Sequence, residues 1–186
     1  MNPAEIPVFI KGKTIDLLPT NLKHSNLYTK WLNNPETRIY IRNQIPKTLE
    51  EIRKLYDSNQ GQSREIISLE IWHKQAQQAI GLIGFSNINW IQRNANIYVQ
   101  IGEIDFWGKG IGTEAVKLML EYGFLELNLH KIYSNILVPN KSSLKVAERV
   151  GFIQEVVLRE EIYLDDNFID NIFITIFKDE WLQKRE

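Results

Sequence analysis

The fold of this chain is decided by the stretch Phe106-Trp107-Gly108-Lys109-Gly110-Ile111-Gly112-Thr113. An alternating apolar run at 97–101 precedes the stretch, and a strong helical pattern follows it. Three glycines at alternate positions let a ligand approach the backbone closely, because no Cβ stands in the way. Their amide groups, with the free amides at the start of a helix, form a concave site for an anion. The stretch therefore predicts a strand, a glycine loop and a helix that together bind a phosphate-bearing cofactor.

Composition places the chain among ordinary globular proteins. It has 186 residues, of which 44% are apolar and 24% charged, which is enough for one buried core. With 22 basic and 23 acidic residues the net charge is −1, so nothing global favours nucleic acid or an acidic membrane as a partner. No apolar run approaches the roughly 20 residues that span a bilayer, and the first residues lack a signal-peptide pattern. The absence of cysteine excludes disulfides and cysteine-bound zinc. We expect a cytoplasmic protein.

Outward from the loop, hydrophobic periodicity predicts seven strands and four helices. Strands are expected at 13–18, 67–72, 79–85, 96–101, 132–138, 154–164 and 168–177, and helices at 21–33, from 48, from 111 and from 141. The order is β-α-α-β-β-β-α-β-α-β-β, an antiparallel meander that leads into a β-α-β unit across the glycine loop. No linker or repeat interrupts the chain, so we expect a single α/β (α+β) domain over residues 1–186 with a mixed central sheet.

Local signals predict where several of these helices begin and end. Thr48 and Glu51 have the spacing of a capping box. Asn34-Pro35 is expected to stop the first helix. Asn140 is expected to cap the helix that Gly151 ends. The last two strands are expected to form a hairpin around Asp165-Asp166-Asn167.

Three cofactors compete for the glycine loop. A P-loop requires a serine or threonine after its lysine, whereas Gly110 follows Lys109 here. A dinucleotide-binding turn requires a different glycine spacing and an acidic residue at the end of the next strand, which here ends in Val138-Pro139-Asn140. Coenzyme A needs converging amides for its pyrophosphate and a strand edge for the amides of its pantetheine arm. The strand at 97–102 and the loop at 107–112 offer both, which favours coenzyme A.

The loop resembles that of the GNAT superfamily of acetyl-CoA-dependent N-acetyltransferases. Its glycines match the family pattern, although Trp107 stands where the family has arginine or glutamine. The branch of ribosomal-protein N-terminal acetyltransferases has similar segments elsewhere. These are Trp31-Leu32-Asn33-Asn34-Pro35-Glu36, Leu127-Asn128-Leu129-His130-Lys131, the segment from Asn140 to Gly151-Phe152, Leu158-Arg159-Glu160 and Phe168-Ile169-Asp170. The resemblance implies an enzyme that moves acetyl from acetyl-CoA to a primary amine by direct attack.

The resemblance also implies which residues bind acetyl-CoA and which carry the chemistry. The cofactor residues are Gln100, Ile101, Gly102, Trp107, Gly108, Lys109, Gly110, Ile111, Gly112, Thr113, Asn140 and Ser142, and a backbone amide near 100–102 would stabilise the oxyanion. Glu103 is the expected base, with Asp105 or a water relay as alternatives. Relatives often use a tyrosine as the acid at the position of Ala147, so that role passes to Ser143.

The acceptor and the partners remain open at this level. A peptide or protein N-terminus is slightly favoured over an amino sugar, a polyamine or an antibiotic. A catalytically idle domain that binds acyl-CoA is the alternative of another class. His24, His73 and His130 lack metal-ligand spacing, so no metal is expected. Trp31, Tyr40, Trp90 and Tyr98 are possible walls of the acceptor pocket, and the chain is expected to be a monomer or a homodimer.

Overall fold

A single mixed sheet of eight strands organises the protein. The structure, a computed structural model, describes residues 7–41, 45–57, 65–164 and 166–184. The strands are β1 (Ile10–Lys11), β2 (Ile15–Pro19), β3 (Ile67–His73), β4 (Gln78–Asn89), β5 (Asn94–Ile101), β6 (Lys131–Leu137), β7 (Ile153–Leu164) and β8 (Asn167–Phe177). They lie in the order β1-β2-β3-β4-β5-β6-β8-β7. All neighbours are antiparallel except β5 and β6, which the β-α-β unit joins in parallel.

Helices cover both faces of this sheet. They are α1 (Ser25–Asn33), α2 (Pro35–Ile41), α3 (Leu49–Tyr56), α4 (Ile111–Glu121), α5 (Lys141–Val150) and α6 (Lys178–Gln183). One buried cluster contains Met119 and Phe124 together with Trp181 and the sheet face that carries Ile83 and Phe85. A second cluster on the opposite face joins the α1 residues Tyr28 and Trp31 to Ile52 and Leu82. The long sheet is therefore held from both sides.

The predicted fold class is confirmed, with more elements than the sequence analysis expected. The described residues contain eight strands and six α-helices, because β1, α2 and α6 are short elements with weak periodic signals. The capping box at Thr48 and Glu51 is present, and Asn140 and Gly151 bound α5 as expected. Asp165, in the expected last turn, lies outside the described residues.

Asn34-Pro35 ends one helix and begins the next. The sequence analysis predicted only the end of α1, which does come at Asn33. The Asn34 side chain also accepts a hydrogen bond from the Glu36 amide at 2.9 Å, so α2 follows at once. A proline at the first position of a helix removes an amide that would have no intrahelical acceptor in any case.

The feature that positions the site is a separation of β5 from β6. The two strands pair only from Asn94 to Asn96 on β5 and from Lys131 to Tyr133 on β6, although both strands continue further. At the point where pairing stops, the Ser134 hydroxyl donates to the Ile97 carbonyl at 3.0 Å. Beyond it, the β5 edge facing β6 is open within the described part of the sheet.

Candidate active site

The gap between β5 and β6 widens into two adjoining chambers. The loop chamber, about 490 Å³, is lined by the glycine loop, the first turn of α4 and one side of α5. The sheet chamber, about 520 Å³, is lined by α3, by residues of β4, β5 and β6, and by the side of α5 that carries Ser143 and Ala147. Their common wall consists of Tyr40, Ile41, Val99, Gln100, Asn140, Ser143 and Val146. Two ligands could therefore meet at this wall.

The glycine loop leaves open space where side chains would stand. Gly108 and Gly110 have φ values of +73° and +80°, and a Cβ built on either would find no atom within 4 Å. Backbone in this region strongly favours glycine. A Cβ on Gly112 would lie 3.8 Å from Val146, which is an ordinary contact. The space beside Gly108 and Gly110 is thus open in the described protein, so the loop fits a ligand that contacts the backbone.

The start of α4 directs free amides into the loop chamber. The amides of Ile111, Gly112 and Thr113 belong to the first turn, where an α-helix offers no acceptor, and Gly110 supplies no side-chain cap. The acidic residue of that turn, Glu114, is turned away and accepts from the amides of Lys13 and Thr14 at 2.7 and 2.8 Å. Its pKa is lowered: partial burial opposes the shift, and the hydrogen bonds from the 13–15 backbone outweigh it.

Thr113 adds an unpartnered hydroxyl at the same place. Its Oγ1 is buried and has no hydrogen-bond partner among the described residues, and the residue lines the loop chamber. Together the amides, the hydroxyl and the positive end of the helix dipole make a site suited to a phosphate group.

A basic face of α5 lies opposite the loop. Lys141, Lys145 and Arg149 line the loop chamber and follow each other at four-residue intervals, which places them on one side of the helix. Like charges at this spacing repel each other, so an anion in the chamber would stabilise the arrangement. On the α2 side the chamber wall includes Glu36.

Trp107 and Lys109 support the loop from within the chain. Trp107 Nε1 donates to the Ile101 carbonyl at 2.8 Å, which ties the loop to the end of β5. The Lys109 ammonium lies 5.4 Å from the centre of the Phe106 ring, at a distance typical of a cation–π contact. Trp107 lines the loop chamber, whereas Lys109 lines neither chamber.

The two polar atoms of the Asn140 side chain have different surroundings. Its Oδ1 accepts from the Ser143 amide at 3.1 Å and from the Ser142 hydroxyl at 3.0 Å, which caps α5. Its Nδ2 has no acceptor among the described residues and can donate into the cleft. The Ser143 hydroxyl also has no partner there, and Ser143 lies on the common wall of the two chambers.

At the end of β5, some backbone amides face β4 and others face the gap between β5 and β6. Gly102 and Glu103 both donate to the Ile80 carbonyl, at 2.8 and 3.1 Å, which is the pattern of a β-bulge. Because strand amides alternate between the two edges, the Gln100 amide also faces β4. The amides of Val99 and Ile101 face the gap. Of the three predicted residues, Ile101 thus offers an amide to the cleft and Gly102 does not.

Gly102 and Gln100 both contact Trp31. A Cβ on Gly102 would lie 2.1 Å from a Trp31 ring carbon, so only glycine fits there without displacement of the ring. The Gln100 side chain donates to the Trp31 carbonyl at 3.1 Å and is buried. Gln100 lines both chambers, whereas Gly102 lines neither.

Glu103, the expected base, is held by α1 and lines neither chamber. Lys30 Nζ donates to its two oxygens at 2.9 and 3.1 Å, and Trp31 Nε1 donates to it at 2.8 Å. Partial burial opposes ionisation, yet these hydrogen bonds and the Lys30 charge keep the pKa of Glu103 below its usual value. A base role for Glu103 stays a prediction, and its contacts suit an anchor for α1.

The sheet chamber combines tyrosines and apolar residues with polar side chains of the sheet, namely Ser86, Asn96, Gln100, Ser134 and Asn135. Tyr98 and Tyr56 line it, and the Tyr98 hydroxyl lies 2.5 Å from the Ser68 hydroxyl. Burial raises the pKa of Tyr98 to about 12, although the Ser68 hydrogen bond opposes the shift. Ala147 lines the same chamber, one helical turn beyond Ser143. Tyr40 and Tyr98 are therefore walls of the cleft, whereas Trp31 is core and Trp90 lies outside both chambers.

The sequence analysis did not assign Val99, Lys145 and Arg149 to the site. The alternation of strand amides could have shown that Val99 faces the same edge as Ile101. The four-residue spacing on α5 could have indicated the basic face. Within the described ranges, no three His, Asp or Glu side chains form a group suited to a metal ion. None of the described helices has the length and apolar character needed to cross a membrane.

Comparison with known families decides the classification. Residues 15–153 match the family model described as the Acetyltransferase (GNAT) domain. The chain belongs to the GNAT acetyltransferase family. The family identified from the glycine loop is thus confirmed, and the chain is an acetyl-CoA-dependent N-acetyltransferase.

The similar proteins are named as N-acetyltransferases and differ in the acceptor that their names give. The chain is 27% identical over 154 residues to a spermidine N(1)-acetyltransferase of Vibrio cholerae, which covers 83% of this chain and 87% of that protein. YdaF of Bacillus subtilis, named as a candidate ribosomal N-acetyltransferase, is 34% identical over 101 residues, or 54% of this chain and 55% of YdaF. The structure of the Vibrio cholerae spermidine N-acetyltransferase with CoA and spermine superposes with a TM-score of 0.83 at 25% identity, covering 91% of this chain and 98% of that one.

Proposed function

We propose that this enzyme acetylates the primary amine of a small molecule, with acetyl-CoA in the loop chamber and the amine in the sheet chamber. The observation that carries the proposal is the common wall of the two chambers. There the open β5 edge, the free Asn140 amide and the unpartnered Ser143 hydroxyl come together. A thioester and an amine that approach from opposite sides would meet at this wall.

The loop chamber supports a defined placement of the donor. The amides of residues 108–113 and the Thr113 hydroxyl suit the pyrophosphate, and the basic face of α5 suits the remaining phosphate. The open amide and carbonyl of Val99 can pair with the amides of the pantetheine arm as a short strand would. Asn140 Nδ2 can donate to a carbonyl of the same arm.

The reaction then requires one bond to form and one to break. The amine nitrogen attacks the thioester carbonyl carbon, so that a C–N bond forms, the C–S bond breaks, and the amine loses a proton while the thiolate gains one. We assign the Ile101 amide to the carbonyl oxygen, where negative charge develops. We assign the Ser143 hydroxyl to the departing thiolate. Since no carboxylate of the described residues lines the sheet chamber, water is our choice to carry the amine proton outward.

The small-molecule acceptor replaces a peptide N-terminus as the favoured hypothesis. Its support is the pair of similar proteins named for spermidine acetylation, which match more than four-fifths of the chain. The likeness to YdaF covers about half of the chain, so peptide N-termini belong in the test.

The test is the release of free thiol from acetyl-CoA with a panel of acceptors. The panel contains small primary amines, amino sugars, aminoglycosides, and peptides with a free N-terminus. We expect turnover with small amines at kcat/KM at least about tenfold above the peptides, because substrates that fit the pocket differ by such factors from those that do not. Faster turnover with peptides would contradict the small-molecule assignment.

A further inference from the structure

The side of the sheet chamber that α1, α2 and α3 form is largely apolar, whereas β5 and β6 contribute the polar side chains of Asn96, Gln100, Ser134 and Asn135. Helices contribute Leu32, Ile41, Ile52 and Leu55, and β4 contributes Leu82 from the sheet side. Ile52 and Leu82 are almost fully buried, whereas Leu55 is half exposed at the rim. An acceptor in this chamber would bury its body against aliphatic side chains.

The wall of the sheet chamber also includes a lysine. Among the described residues, Lys47 is the one charged side chain that lines the sheet chamber. Its segment is held in place because Asn33 accepts from the Lys47 amide at 2.8 Å and donates to the Lys47 carbonyl at 2.7 Å. The carboxylate of Glu51 is close enough to interact electrostatically with Lys47; however, it lies outside the lining and accepts hydrogen bonds from Thr48.

No carboxylate of the described residues lines the sheet chamber, and Glu36 of α2 lines only the loop chamber. Glu70 is fully buried and lines neither chamber. Its Oε1 bonds to His24 at 2.8 Å and to the Tyr28 hydroxyl, while its Oε2 has no hydrogen-bond partner among the described residues. Glu103 is held by Lys30 and Trp31.

We propose that the preferred acceptor is a primary amine attached to an uncharged, apolar body, and that the wall selects against an acceptor with a second ammonium group. An ammonium moved from water into an apolar wall loses hydration and needs a carboxylate to compensate. The Lys47 charge repels it in addition. An alkyl or aromatic body instead gains from burial against the leucines and isoleucines. Such an acceptor differs from the polyamine that gives the Vibrio cholerae relative its name.

Hexylamine and cadaverine provide a matched test, since they have the same length and differ in a terminal methyl or ammonium group. The inference rests on the proposed acetyl transfer to a small amine. We expect the kcat/KM of hexylamine to exceed that of cadaverine by about tenfold or more, measured as thiol release. Spermidine should be as poor as cadaverine. Equal or faster turnover of cadaverine or spermidine would overturn the proposal while leaving acetyl transfer intact.

Two variants test whether the wall of the sheet chamber determines the preference for hexylamine over cadaverine. Leu55→Glu and Lys47→Glu each bring a carboxylate to the chamber, and both should shift the ratio of kcat/KM values toward cadaverine by about tenfold. Leu182→Glu makes the same change at a partly exposed leucine of α6 outside both chambers, so it should leave the ratio within about twofold. Thermal unfolding of each variant verifies that it is folded.

The possible results distinguish a failure of the proposed selectivity from a failure of the proposed acetyl transfer. An unchanged ratio in both chamber variants, with folded protein, would overturn the assignment of selectivity to this wall. Absence of thiol release with every amine, despite binding of acetyl-CoA, would contradict the proposed function itself.

Discussion

At the residue scale, Asn140 and Ser143 identify one candidate for the group that donates a proton to the leaving thiolate. Asn140 Oδ1 fixes the first turn of α5 through the Ser143 amide, and this leaves the Ser143 hydroxyl unpartnered at the wall between the chambers. Ala147 occupies the position where relatives often have a tyrosine. We therefore propose that Ser143 is the hydroxyl of this helix that protonates the departing thiolate.

Ser143→Ala should lower kcat with little change in the KM for acetyl-CoA. A positioned general acid contributes about 10²-fold or more, so we expect a loss of that order, measured by steady-state thiol release. Ser142→Ala, at the neighbouring residue whose hydroxyl is bonded to Asn140, is the matched control: it should retain kcat, and any effect should fall on the KM for acetyl-CoA because Ser142 lines the loop chamber. Equal kcat values in Ser143→Ala and the wild type would remove the serine from the mechanism.

Glu103 gives a second residue-scale prediction, which concerns stability and pH. Its pKa is lower in the folded protein than its usual value, so its contribution to folding is present above about pH 4.3, the usual glutamate pKa, and is lost as the pH falls through the folded value. Glu103→Gln should therefore reduce the free energy of unfolding at neutral pH by at most about 1 kcal/mol, because Lys30 is largely exposed.

The comparison of urea unfolding at neutral and acidic pH checks this assignment. The difference between Glu103→Gln and the wild type should shrink as the carboxylate becomes protonated. A difference that does not depend on pH would mean that the charge of Glu103 does not anchor α1. A large loss of kcat at neutral pH would instead support the base role predicted from the sequence.

At the element scale, the connection from β5 through the loop to α4 carries the donor site. Its glycines differ in backbone geometry: Gly108 and Gly110 have a positive φ, while Gly112 lies in α4 and would accept a Cβ at an ordinary contact distance of 3.8 Å from Val146. This difference permits a substitution that separates binding from folding.

Gly112→Ala should weaken acetyl-CoA binding without destabilising the protein. Alanine in a helix is more favourable than glycine by up to about 1 kcal/mol, and its methyl would lie 3.8 Å from Val146 without a clash. The same methyl projects into the loop chamber, so we expect the Kd for acetyl-CoA, measured by calorimetry, to rise about tenfold. Lys117→Ala, at an exposed position of α4, is the control. Unchanged affinity in Gly112→Ala would place the pyrophosphate elsewhere.

Local elements were predictable from the sequence, and contacts between distant segments were not. The capping box of α3 and the Asn140 cap depend on residues three apart, which the sequence displays directly. Trp31 lies beneath Gly102, and Glu103 pairs with Lys30 across 73 positions. Both contacts depend on how α1 packs on the sheet. The bulge also changes which way Glu103 faces relative to strict alternation. The resemblance therefore suggested a base at Glu103, and the contacts of Glu103 with α1 could not be predicted from the sequence.

At the scale of the whole molecule, the outer strand of the sheet is the surface that most suggests assembly. β7 has β8 on one side and no neighbour on the other among the described strands. Exposed apolar residues concentrate on β7 and β8, namely Ile153, Val156, Val157, Tyr163 and Phe168. Exposed apolar patches and open strand edges favour association.

We expect two copies of the chain to associate through this surface. Sedimentation velocity should detect a dimer in the wild type, and Val156→Lys should shift it toward monomer because a charge would be buried at the contact. Ile91→Lys, at a residue that is 90% exposed in the turn between β4 and β5, is the control. Identical sedimentation of all three proteins would exclude this surface as the interface.

The most direct test of the central claim is to follow an isotopically labelled acetyl group from acetyl-CoA by mass spectrometry. The account predicts that the label appears on the nitrogen of a small primary amine as an amide, with one free thiol released for each amide formed. Label that remains on CoA, or appears only as acetate, with every primary amine of the panel would contradict the account.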